Sequence, residues 1–482
     1  MKRISLLPIL SLLAFTACKK DFGSMNTDPK NPVAVPSATV FTYGQKLMAD
    51  VYTSTSVASA PWRVLAQSWT ENTYVYEAQY NFAAYNAPDG WWNNFYGTTL
   101  ANLENAKKQF PTDIADPAKA RNAAIIADIL EVYGFNILVT TYGNIPYKQA
   151  FNRSIPFPAY DDAKTVYTDL LTRLDTCIAG INTGAASLGA ADQIYKGDMT
   201  KWKKFAATLK LKMAMLLADT DLTTATKKVT EAVTTGVFAA NSDNALFVYQ
   251  SDATTNTNPV WQALVNSGRH DFAPANTIVN VMNSWSDPRL PLYYKKDGSG
   301  NYSGAFPGKA NSYGSYSDFS DAWQSQVLPA DLLDYAETEF LLSEAVARGI
   351  AIGGTAESHY NAGITASILF WGGSATAATT YLLQPGVAYT TAAGDYKQKI
   401  GYQKWIALAN RGWDAWTEIR RLKQPNLDVV NPPTGANGKL PLRFYYPLTT
   451  EKVSNSVNWS AAVKTQFGGT DDLVSYKLFW MP

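Results

Sequence analysis

The sequence predicts an all-α protein, a set of antiparallel helix pairs carrying one long loop-rich segment. Three observations predict it. Apolar residues recur at spacings of three and four along most of the chain after Ser37. Aspartate caps and proline starts punctuate these stretches. Neighbouring stretches are joined by short loops, as in Met199 to Asp219 followed by Leu222 to Thr235, the arrangement of a helical-hairpin solenoid.

The first element is an exception to the helical body. Lys2 and Arg3 precede an apolar run from Ile4 to Phe15, and the small pair Thr16 and Ala17 leads to Cys18. This is the layout of a lipoprotein signal over residues 1–17, with Cys18 as the residue to be lipidated after cleavage. Residues 18–36 are polar and turn-rich, including Asn26-Thr27-Asp28-Pro29-Lys30-Asn31-Pro32, and are expected to form a flexible tether. Fully extended, such a tether reaches about 60 Å. Residues 37–482 are expected to form a single domain.

Within that domain, helices are expected at about 38–54, 58–71 and 90–109, then after the Asp116-Pro117 cap, and at about 160–179, 200–219 and 222–235. After residue 330 they are expected at about 331–348, 356–370, 396–409 and 411–423. The face expected for the helix after Pro117 runs through Ile125, Ile126, Ile129, Leu130, Tyr133 and Ile137. The stretch of about 240–328 departs from this pattern. It is rich in Asn, Ser, Gly and aromatic residues and reads as ordered loops with short helices, because large rings supply burial that a disordered tract lacks.

Charge excludes one class of function. Loss of residues 1–17 removes two basic side chains and no acidic one, leaving 39 basic and 40 acidic. With no net positive charge and no long basic run, nucleic acid is not an expected partner. Cys177 is the only other cysteine, in an apolar helical stretch, and is expected to be a buried free thiol.

Catalytic patterns are scarce. His270 and His359 have no metal-ligand spacing to another His or Cys, so no metal or cofactor is expected. No Gly-x-Ser-x-Gly turn is present, and Gly300 to Lys309 lacks phosphate-loop spacing. Glu337, Glu339 and Glu344 are the carboxylates considered for glycoside hydrolysis, and their helical setting favours solvated or capping roles.

Aromatic content points to binding instead. The chain holds 62 Phe, Trp and Tyr residues, while only 17% of its residues are charged. Rings stack on the C–H faces of sugars, and nearby amides, hydroxyls and charged groups pair with sugar hydroxyls. Trp202, Trp405, Trp413 and Trp416 fall in helical patterns and are expected in the core. Two segments mix rings with amides and are the candidate ligand-binding residues: Trp69, Tyr74 and Tyr76 in one, and Trp91, Trp92 and Asn94 after the turn Pro88-Asp89-Gly90 in the other. Trp91 and Asn94 lie three residues apart and are expected to share a helix face.

Separated segments then read together. These are the Asn26 to Pro32 tether, Tyr142-Gly143-Asn144-Ile145-Pro146-Tyr147, Gly197 to Trp202 leading into a helix, and Asp287-Pro288-Arg289-Leu290. With them stand Glu337 to Ala347, Gln403 to Leu408 running into Gly412 to Arg421, Tyr446-Pro447, Gly468 to Asp472 and Lys477 to Trp480. In this order the chain resembles the SusD/RagB family of outer-membrane lipoproteins of Bacteroidota. The resemblance implies four tetratricopeptide-like helix pairs in an alpha-alpha superhelix, supporting a loop-rich ligand-binding half. It implies a binding protein, not an enzyme. Such a protein is lipid-anchored at the outer membrane, facing the cell exterior, and captures oligosaccharides, or in some members peptides, for a SusC-like TonB-dependent transporter that it covers as a lid. The Trp91 to Asn94 segment lies where starch-binding members carry an aromatic and an amide.

Overall fold

The computed structural model describes residues 35–251, 256–427 and 439–482. The signal, Cys18 and nearly all of the tether lie outside the described residues. Helices dominate, in the order α1 (Ser37–Thr53), α2 (Ala87–Asn93), α3 (Ala101–Asp113), α4 (Pro117–Tyr142), α5 (Ala163–Gly180), α6 (Met199–Leu216) and α7 (Leu222–Thr235). Then come α8 (Asn276–Ser284), α9 (Tyr335–Ala347), α10 (Ala356–Phe370), α11 (Ala375–Leu382), α12 (Tyr396–Ala407), α13 (Gly412–Leu422) and α14 (Ser456–Phe467). Four short strands, β1 (Trp69–Glu71), β2 (Ala245–Phe247), β3 (Phe272–Pro274) and β4 (Ala330–Leu333), form two antiparallel pairs, β1 with β3 and β2 with β4.

Aspartates start many of these helices for the reason the sequence suggests. The side chains of Asp116, Asp162, Asp198, Asp221, Asp334 and Asp395 each accept a hydrogen bond from a first-turn backbone N–H. These bonds satisfy donors that the helix itself leaves unpaired. Successive helices pack side by side from α3 to α7, α1 lies on α3, and α6 passes the array on to α9, which packs on α10 and α12. The expected hairpins α6–α7 and α9–α10 are both present, so the body is a superhelix of helix pairs. The long α4 runs through its centre, with 83% of its most apolar window buried.

Several local expectations differ from the structure. Residues 58–71 form one helical turn, Trp62–Leu65, followed by β1. Residues Ala330–Leu333 are a strand preceding α9, and α11 and α14 were not expected. Short apolar runs do not distinguish helix from strand by period, and β1 and β4 exist only because distant segments pair with them. In the segment 240–328 the expected loops and short helices are present, but so are β2 and β3.

The core is aromatic and ionic. Trp62 meets Phe444 with ring centroids 4.5 Å apart, Trp91 at 4.7 Å and Trp416 at 4.9 Å, binding the C-terminal segment to the N-terminal one. Trp202, Trp405, Trp413 and Trp416 are buried as expected, and Cys177 is a buried free thiol. Glu337 and Glu344 correct their expected setting: both are fully buried and paired. Arg411 donates to Glu337 at 2.6 Å and to Asp414 at 2.5 Å, while Lys212 lies 3.1 Å from Glu337 and also pairs with Asp414. Arg421 grips Glu344 at 2.6 Å and 2.5 Å, and Lys404 lies 3.0 Å from Glu418. Burial alone would raise the Glu337 carboxyl, but the charges of Lys212, Arg411 and Lys404 override it and hold it well below the carboxylate range. Burial works against ionised Glu418 too, yet Arg421 and Lys404 bring it down to about 2. This network ties α6, α9, α12 and α13 into one scaffold.

Candidate ligand-binding cleft

The site begins with the pairing of β1 and β3, which brings residues just over 200 positions apart into register as Trp69 with Pro274, Thr70 with Ala273 and Glu71 with Phe272. Asn72 continues the pairing. Its N–H donates to the Asp271 carbonyl at 2.7 Å, and its Nδ2 donates to the His270 and Phe272 carbonyls at 2.9 and 3.3 Å. The chain then loops outward, with Tyr74, Tyr80 and Asn86 all in the left-handed region at φ of 60°, 63° and 53°. Non-glycine residues seldom hold that conformation unless the surroundings impose it, and such strain gathers at functional sites.

Two cavities of about 530 and 550 Å³ open beside this loop and share Thr55, Ser56 and Ala263, so they form one cleft. One end is lined by Tyr74, Tyr85, Thr73, Ser267, Arg269 and Asp271. The other is lined by Asp50, Ser54, Asn94, Thr257 and Gln262. Asn94 and Gln262 each open a π-helical segment, Asn94–Leu100 and Gln262–Asn266, which re-aims side chains by one extra residue per turn. Tyr74 is 56% exposed, and Tyr76 packs edge-on against Tyr85 at 5.8 Å. The guanidinium of Arg269 makes a two-pronged pair with Asp271 at 2.6 and 3.1 Å.

Beneath the tyrosines lie two buried carboxyls. Glu71 accepts from the Ala78 N–H at 3.1 Å, and its other oxygen, like both oxygens of Glu77, is buried without a hydrogen-bond donor. Burial, reinforced by the neighbouring Glu77 charge, pushes Glu71 up to about 9, and burial pushes Glu77 up to about 7. Glu71, in the wall of the cleft, therefore keeps its proton at neutral pH.

The segment carrying Ser54, Thr55 and Ser56 approaches α2 closely. A Cβ at Gly90 would sit 2.0 Å from the Ala58 carbonyl oxygen. Gly90→Ala is expected to cost about 2 kcal/mol by forcing the backbone apart, read as a lowered urea midpoint.

The family model for SusD-like_2, described as "Starch-binding associating with outer membrane", matches residues 29–447. The chain belongs to this SusD-like family. Solved structures agree in fold. A chitin-binding SusD homologue from Flavobacterium johnsoniae is 25% identical with a TM-score of 0.77, the match covering 91% of this chain and 98% of that one. A SusD homologue from Bacteroides uniformis, also 25% identical, superposes with a TM-score of 0.79 over 94% of this chain and 100% of that one. A further homologue from Bacteroides fragilis is 23% identical, with a TM-score of 0.78 over 93% and 99% of the two chains. No curated protein is similar enough to match.

In this SusD-like chain the expected ligand residues divide. Tyr74, Tyr76 and Asn94 lie at the surface or lining the cleft, as a ligand contact requires. Trp69, Trp91 and Trp92 do not, and the expected Trp91–Asn94 platform is corrected: the three rings are only 1%, 0% and 4% exposed. Trp69 packs tilted against Phe319 at 4.3 Å and edge-on to Trp323 at 5.3 Å between ring centroids. Trp91 is wedged against Trp62 and Phe95, and Trp92 against Tyr96 and Tyr142. The physical reason is that α2 sits at the boundary of the body, turning its indoles inward and leaving Asn94 at the rim. Tyr85, Arg269, Asp271 and Gln262 were not singled out for binding. Only the β1–β3 pairing brings the Arg269 to Asp271 segment to the tyrosine loop, and no spacing in the sequence encodes that meeting.

Proposed function

We propose that the protein captures neutral oligosaccharides in this cleft. Cys18 is the lipid anchor at the outer face of the outer membrane, and the captured ligand passes to a SusC-like TonB-dependent transporter that the protein covers as a lid. The observation that carries the reading is the cleft itself, in which exposed tyrosine faces stand beside hydroxyl and amide side chains within the described SusD-like body. The family description names starch, and a homologue at 25% identity is a chitin binder; both support a glycan. Neutrality follows from charge. Arg269, the cation lining the tyrosine end, is already engaged by Asp271, and Asp50 lines the far end, so an anionic ligand meets no spare positive partner among these groups.

Binding without hydrolysis fits the carboxyls nearby. Asp271 is held by Arg269, so its carboxylate is not a free nucleophile at a sugar bond. A lid must also release its cargo, for which stacking plus a few hydrogen bonds is suited.

Calorimetry of the mature protein with chito- and malto-oligosaccharides tests this. Tyr74→Ala is expected to weaken binding about five- to tenfold through the lost stacking face, and no shortened products should accumulate. Binding of peptides and of no glycan would replace the reading with a peptide-capture one.

A further inference from the structure

A second cavity lies on the other side of Phe272, which lines both it and the tyrosine end of the main cleft. It is small, about 90 Å³, with Asn72, Ser312, Tyr313 and Tyr316 in its walls. That is room for about three water molecules, the size of a sugar substituent and less than a pyranose ring. At its mouth stands Tyr313, 52% exposed, whose ring lies parallel to His270 at 3.6 Å and 9°. With one face covered by the imidazole, the exposure of Tyr313 belongs to its other face and edges. The ring is held in advance of any ligand. Asn311, two residues earlier, donates its N–H to the Asn72 carbonyl at 2.9 Å and its Nδ2 to the Glu71 carbonyl at 3.1 Å.

Asn72 anchors the wall. Its side chain is 3% exposed, and both of its amide hydrogens are committed to carbonyls. Ser312, Tyr316 and Asp318 also line the cavity. A carboxylate accepts from an O–H or N–H and repels an anion, so this lining suits a neutral, hydroxyl- or amide-bearing group.

We propose that Tyr313 and this cavity form a second sugar subsite. One neutral sugar unit lies on the open face of the Tyr313 ring and directs a hydroxyl or acetamido substituent into the cavity, toward the wall that carries Asp318. The subsite rests on the glycan reading of the main cleft and deepens it: because Phe272 stands between the two cavities, a single chain occupies both, and the preferred ligand is an oligosaccharide longer than the main cleft alone accommodates.

The test uses the mature protein and the chito- or malto-oligosaccharide series that it binds, comparing the two-unit and six-unit members by calorimetry. Tyr313→Ala is expected to weaken the six-unit ligand about five- to tenfold and leave the two-unit ligand unchanged, while Tyr313→Phe, which keeps the ring, retains both affinities. Tyr74→Ala should weaken both lengths. If Tyr313→Ala changes neither length, or both equally, while Tyr74→Ala still weakens binding, the second subsite is wrong and the glycan reading stands. If the unmutated protein binds neither series, both fall. The ring is half exposed, so its removal leaves the core packing intact, and unchanged thermal unfolding of the variant checks that.

Discussion

Replacing Glu337 by alanine is expected to destabilise the protein by about 3–5 kcal/mol, the cost of breaking a buried ion pair by removing one partner. Glu337 is fully buried, and Arg411, Lys212 and Lys404 all converge on it, at 2.6, 3.1 and 3.5 Å. Its removal leaves three buried cations to share Asp414, Asp334 and Glu418. Glu337→Gln keeps the shape and one acceptor, so part of the loss should return. Urea unfolding measures both variants, and a Glu337→Ala cost below 1 kcal/mol would show that the network is solvated in solution. The same network makes the scaffold acid-sensitive. Glu418 titrates near 4.5 when unfolded and at about 2 when folded, so its contribution is complete above the first value and is lost as pH falls toward the second.

The carboxyls under the cleft should show the opposite dependence. Unfolded, Glu71 and Glu77 titrate near 4.5; folded, they hold protons up to about 9 and 7. Between those limits the folded state binds more protons than the unfolded one, so stability falls as pH rises. Glu71→Gln is a neutral isostere of the protonated acid. It is expected to add about 1–3 kcal/mol of stability near pH 8.5 and to add little near pH 4.5, where the native acid already carries its proton. Paired urea titrations at the two pH values decide it: the same difference at both would mean that Glu71 is ionised in the native state. Because the pair lies beneath Tyr74 and Tyr76, loosening of the loop at high pH would also reduce ligand affinity, and the variant should resist that reduction.

Much of the scaffold was legible in the sequence. Asp116-Pro117 was read as a cap and acts as one, because capping is a contact within three residues and needs no tertiary partner. The three- and four-residue periodicity located the hairpins α6–α7 and α9–α10 for the same reason. Glu337 and Glu344 were legible only as helix residues. Their burial depends on cations from α6, α12 and α13, which no local pattern brings together.

The cleft was harder to read. Trp91 and Tyr74 have equal claims as sugar platforms by residue type, and only packing separates them: Trp91 has Trp62 and Phe95 against it, while Tyr74 is held outward by a left-handed backbone above Glu71. By itself the sequence determined the helical body, the family and an aromatic, ligand-binding character, since these reside in periodicity, caps and motif order along one chain. The tertiary structure alone decided which rings face solvent, that β3 delivers Arg269 and Asp271 to the tyrosine loop, and that two acids share the wall behind it. Those outcomes depend on burial and on contacts between residues some 200 positions apart, and such distances leave no spacing to read.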